Sequence, residues 1–117
     1  MRVQRGPLRG RNGVIADRVT WCLSLSERLR GVLGRSPLDP DEAYVITDSS
    51  RVHTKGVPYA LDAVFCDRDW RVLHVETLEP MSRSERVPRS YYVVELLGGR
   101  AAEHGIVPGD RLSFGAR

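Results

Sequence analysis

Residues 50–75 read SRVHTKGVPYALDAVFCDRDWRVLHV, and the parsing of this stretch decides the fold. Gly56 and Pro58 interrupt any hydrogen-bonded ladder, so a new strand has to begin after them. ALDAVFC then alternates, with Leu61, Ala63 and Phe65 facing one way and Asp62, Val64 and Cys66 the other. DRDW is a tight connection into RVLHVETL, which predicts an antiparallel hairpin. Trp70 occupies a place that such a turn usually gives to Gly or Asn. A bulky residue at positive φ is strained, so either the turn takes another geometry or the ring folds back over the sheet.

The same reading extends outward in both directions. Before the hairpin, AYVIT is a short strand, and VIADRVTWCLSL alternates Val19, Trp21 and Leu23 against Arg18, Thr20, Cys22 and Ser24. Ser24 and Ser26 offer N-caps for a helix in which Leu29, Val32 and Leu33 share a face. Gly34 ends that helix, and the prolines of SPLDPDE forbid its continuation. After the hairpin, EPMSRSERVPRS is a polar loop of about a dozen residues, long enough to be a flap or a mobile segment. YYVVELL is a strand, RAAEHG a helical turn with Gly105 at its end, and IVPGDRLSF a turn and a last strand. The elements together predict an α+β domain, mainly antiparallel β and barrel-like, with two short helices.

A chain of 117 residues suits one domain. Its 41% hydrophobic and 28% charged content is that of a soluble protein, and no apolar run approaches the roughly 20 residues of a membrane helix. The N-terminus lacks the apolar core of a secretory signal, which points to a cytoplasmic protein. Of the +3 net charge, the arginines at 2, 5, 9 and 11 supply more than the whole, so residues 13–117 are nearly neutral. Residues 1–12 read as a basic, flexible arm, and 13–117 as the globular domain. Such an arm binds phosphates nonspecifically, although a solvated terminus needs no partner, so nucleic-acid association is the weakest functional reading. Cys22 and Cys66 lie among strand formers without CxxC spacing and read as free buried thiols. His53, His74 and His104 have no ligand spacing, His104 suiting a helix end as a cation; no metal or cofactor is expected.

Four pieces in a fixed order carry a resemblance: RLRGVLGR, VHTKGVPYALDAVFCDRDWRVLHV, YYVVELLGG and GIVPGDRL. Together they resemble the domain of unknown function 192 family, whose small bacterial and archaeal members often carry Trp-Met-Lys-Asn-Thr before an Ile-Pro-Leu-Asp turn. Here Lys55, Leu61 and Asp62 match that version, while His53 and Thr54 resemble a His-Thr subgroup. The resemblance implies a small, mainly β domain of barrel character and no established activity.

Chemistry concentrates before the hairpin. His53, Lys55 and Asp62 are acid–base types, and His53 has the ordinary pKa nearest neutrality. If the chain reverses at 56–58, Asp62 orients the imidazole for hydrolysis, with Thr54, Ser49 or Ser50 as the nucleophile, though no nucleophile elbow supports any of them. The simpler alternative gives Asp62 to backbone N–H groups in the turn. Arg35 and Arg51 join Lys55 as candidates around an anion, with a solvated face as the plain alternative. Gly98–Arg100 has N–H groups to present to an anion, but a lone Gly pair is no phosphate loop. The favoured reading is a noncatalytic module in which Arg35, Arg51, His53, Thr54, Lys55 and Asp62 hold a polar or anionic small ligand or a partner protein.

Overall fold

Alternate side chains of LDAVFC enter two different cores, so every position of β5 (Leu61–Cys66) is buried. Val64 and Cys66 join Val45, Val94 and Leu96 in a first cluster. Leu61, Ala63 and Phe65 join Ile46, Val93 and Leu78 in a second. A strand covered on both faces sits inside its sheet, and β5 pairs antiparallel with β6 (Val72–Leu78) and with β7 (Tyr92–Leu97). β4 (Glu42–Thr47) lies beyond β7, and β3 (Arg18–Cys22) runs parallel to β4 at the far edge, giving the order β3-β4-β7-β5-β6. A computed structural model describes residues 6–32 and 37–115, without the side chains at 25, 29 and 30.

A parallel pair needs a crossover, and α1 (Leu25–Arg30) supplies part of it. Ser24 and Glu27 form a reciprocal capping box: the Ser24 hydroxyl accepts the Glu27 N–H and the Glu27 carboxylate accepts the Ser24 N–H. The helix stops at Gly31, φ 52°, and not at Gly34, which lies outside the described residues. Val32 therefore leaves the helix and packs in the second cluster.

A second sheet of order β2-β1-β8 covers the first cluster, built from β1 (Leu8–Gly10), β2 (Gly13–Ala16) and β8 (Ser113–Phe114). Residues 8–10 belong by sequence to the expected flexible arm, yet Leu8 is fully buried in the first cluster with Ile15 and Leu112. The arginine-rich composition around it hides a single apolar anchor. Residues 1–5 lie outside the described part. The protein is thus α+β and mostly β, with α2 (Arg100–Glu103) as the second short helix. No ladder joins β3 to β6 among the described residues, so the two sheets are not closed into a barrel.

At the hairpin turn Trp70 takes φ 66°. The Asp67 carboxylate accepts the N–H groups of Asp69 and Arg71 and fixes the turn. The turn keeps its left-handed residue, and the ring folds back to stack on Tyr92 at 3.7 Å between centroids, with Trp21 and Phe114 edge-on. Nor is the polar loop after β6 a free flap. Val52 is hydrogen-bonded to Ser84 by two bonds, Val87 N–H donates to the Ser50 carbonyl, and the Ser90 hydroxyl donates to Ser49. Its serines make these bonds to the 49–54 segment, a long-range pairing with no local sequence signal.

Candidate functional site

Thr54 is fully buried, and two turns are built around it. Its hydroxyl donates to the Glu79 carbonyl at 2.7 Å and accepts the Ser82 N–H at 2.8 Å. Its own N–H donates to the Ser82 carbonyl, and its carbonyl accepts from Val57, across Gly56 at φ 84°. Because side chains alternate in extended chain, the inward Thr54 leaves His53 and Lys55 facing solvent. His53 pairs as an isolated bridge with Arg83. The outcome is an open pocket of about 410 Å³ lined by His53, Lys55, Met81, Ser82 and Arg83.

Two features make this pocket chemically specific. The Lys55 N–H donates to His53 Nδ1 at 3.3 Å, which leaves Nε2 carrying the proton of the neutral ring. A donor and two cations, Lys55 and Arg83, then converge on one opening. Met81 supplies an apolar lip: it is 73% exposed and adopts φ 63°, a conformation that costs about 1–3 kcal/mol when its surroundings impose it.

Asp62 is elsewhere. It is 1% exposed, and one oxygen accepts the Thr77 hydroxyl at 2.7 Å while the other accepts the N–H groups of Gly99 and Ala101 at 3.0 and 2.8 Å. By alternation along β5 it faces the first cluster, whereas Val52 and Val57 anchor the His53 segment on the second. The structure therefore does not assemble a His53–Asp62 pair. The anion that Gly98–Arg100 was suited to receive is this carboxylate from the same chain, drawn in by the N–H groups that open α2. The Thr54 proton is committed to Glu79, so its hydroxyl is no nucleophile. Arg51 is exposed and does not line the pocket, and Arg35 lies outside the described residues.

Sequence reasoning missed Met81, Ser82 and Arg83, which reach the site only through the long-range pairing of 82–84 with 52–54. It also missed Glu95 in the middle of YVVELL. Glu95 is 4% exposed, its Oε1 has no hydrogen-bond partner among the described residues, and burial pushes its pKa up to about 7. Burial disfavours the carboxylate there, so the side chain holds its proton up to about neutral pH.

Other titratable groups give no chemistry. Burial pushes the Cys66 thiol up to about 12, leaving no thiolate at neutral pH. His104 caps the end of α2, but burial and then Arg100 push its pKa down; Arg100 Nη2 lies 2.9 Å from His104 Nε2, a contact in which the neutral ring accepts. It is not the dipole-stabilised cation that its helix-end position suggests. No three or more His, Cys, Asp or Glu side chains among the described residues are grouped to hold a metal. No helix is long and apolar enough to cross a membrane.

No curated protein matches the chain. A solved structure from Novosphingobium aromaticivorans, a protein of unknown function, is similar at TM-score 0.76 and 22% identity over 92% of this chain and 84% of its own. A second, from Sinorhizobium meliloti, is described as a putative transcription regulator and is similar at TM-score 0.73 and 26% identity over 97% of each chain. These likenesses carry the fold. The pattern of the domain of unknown function 192 family, described as Uncharacterized ACR, matches residues 10–114, and the chain belongs to that family.

Proposed function

We propose that the protein is a noncatalytic binding module whose His53–Lys55–Arg83 pocket receives a small anionic ligand. The observation that carries this reading is the Thr54 clamp. A buried hydroxyl locks two turns so that three basic side chains and the strained Met81 surround one opening. Guanidinium and ammonium groups beside an N–H donor match carboxylate or phosphate oxygens, and Met81 would cover an apolar part of the ligand. Binding is favoured over hydrolysis because the only carboxylate proposed to orient His53 is spent on α2, and no activated nucleophile is present in the pocket.

The test is a titration with phosphate, short dicarboxylates and acidic peptides, followed by amide and imidazole NMR shifts. Shifts should concentrate at residues 53–55 and 81–83, and replacing both Lys55 and Arg83 by Ala should weaken binding by at least ~10-fold, as loss of two charge-assisted contacts predicts. Absence of shifts in this segment at millimolar ligand would overturn the reading.

The Sinorhizobium meliloti relative's description motivates a second reading, association with nucleic acid. Arg11 is paired with buried Asp110, so it offers less than a free arm would. This reading predicts steeply salt-dependent DNA binding that deletion of residues 1–5 weakens. For location, two buried cysteines outside any disulfide suit a reducing compartment, in keeping with a cytoplasmic protein.

A further inference from the structure

β6 is an edge strand. It pairs with β5 alone, and among the described residues no strand pairs with its outer side beyond the first residue. Val72 exchanges backbone hydrogen bonds with Gly109 and Asp110, but no bond from outside the sheet ladder reaches 73–78 among the described residues. Free edges are ordinarily blunted by proline, lysine or a bulge placed to turn the edge away. In VLHVETL there is no proline or lysine, and the register irregularity lies at the start, beside Phe65 and Cys66. The five residues beyond Leu73, where the register shifts, stay open among the described residues.

The sequence of this edge is self-complementary. His74 and Glu76 project from the second-cluster face, where His74 lies against Phe65 and its Nε2 is 3.2 Å from the Glu76 carboxylate. Val75 and Thr77 project from the other, with Val75 packed on the first cluster. An antiparallel pairing of two copies about a two-fold axis at Val75 sets His74 opposite Glu76 of the second copy, twice. It also sets Val75 against its equivalent. Imidazole meets carboxylate and the apolar side chain meets its own copy, the arrangement that stabilises cross-strand pairs. The other edge, β3, does not complement itself: pairing about Thr20 sets Arg18 against Cys22.

We propose that two copies of this chain associate through β6, antiparallel, into one continuous sheet that runs through both. The symmetric form follows from isologous pairing, in which one patch serves both partners. It is independent of what the Thr54-clamped pocket binds.

The test is sedentation-based mass measurement by analytical ultracentrifugation from micromolar to millimolar protein, on the parent chain and three variants whose folding is checked by circular dichroism. The parent should dimerise. Val75→Lys places like charges on the two-fold axis, and His74→Glu places acids opposite acids; each should weaken association by at least ~10-fold. The double variant His74→Glu/Glu76→Lys restores opposite charges in swapped positions and should recover dimerisation. Because its side chains lie on a half-exposed face, it also guards against a variant that merely fails to fold. A parent that stays monomeric at millimolar concentration overturns the proposal, and so does a dimer indifferent to the single variants or unrecovered by the double one.

Discussion

Glu95 and Trp70 are the two positions where a local rule is broken and the rest of the molecule compensates. Glu95 has a folded pKa of about 7 against an ordinary 4.5, so the folded chain holds the proton more tightly than the unfolded one. The stability this gives is full below about pH 4.5 and is lost as pH rises through about 7, amounting to roughly 3 kcal/mol. Glu95→Gln should therefore stabilise the protein by about that amount near pH 8 and change little near pH 5, read by urea unfolding at both. An equal effect at the two pH values would contradict the assignment. At Trp70 the left-handed backbone opposes the aromatic packing. Trp70→Ala should cost about 2–3 kcal/mol of stability, and Trp70→Gly about 1 kcal/mol less than that, because glycine relieves φ 66°. Chemical denaturation of the pair separates the two contributions. Trp70 was legible in the sequence because turn chemistry is local. Glu95 was not, because YVVELL reads as a strand without disclosing that both sheet faces are covered.

Elements were the most readable scale. Short strand-forming runs located β4 to β7, alternation marked β3 and β5, and of the two serines offered as caps Ser24 caps α1, since these signals lie within a few residues of what they specify. What escaped was every bond between distant segments. Asp62 looked like a partner for His53 nine positions away, and instead it gathers Thr77, Gly99 and Ala101 onto one carboxylate. Asp62→Ala should cost about 3 kcal/mol by stranding those donors, while leaving ligand titration at 53–55 unchanged once the protein is folded. Thr54→Val should do the reverse: a loss of about 1–2 kcal/mol of stability with a larger fall in ligand affinity, because the turns carrying Met81 and Arg83 lose their clamp. Calorimetry on both variants distinguishes the carboxylate that holds the fold from the hydroxyl that holds the site.

For the whole molecule, four motifs in a fixed order were enough to suggest the family, whose pattern matches residues 10–114. The barrel-like character expected from the sequence is not shown, since strand count and turn spacing do not say whether the last edges meet. The arm was misread at residues 8–10, which form β1, and this yields a prediction. Deleting residues 1–10 removes the middle strand of the smaller sheet along with Leu8, which should lower Tm by roughly 10–20 °C; thermal unfolding monitored by circular dichroism gives the answer. That sheet also sets the order of assembly. The hairpin of β5 and β6 closes over a few residues, whereas β1 meets β8 across roughly 100 residues of chain, with the Gly115 N–H donating to the Pro7 carbonyl at 3.1 Å. Closing so long a loop is entropically slow, so this seam forms after the local β1–β2 pair, and β1 stands as an open edge until β8 reaches it.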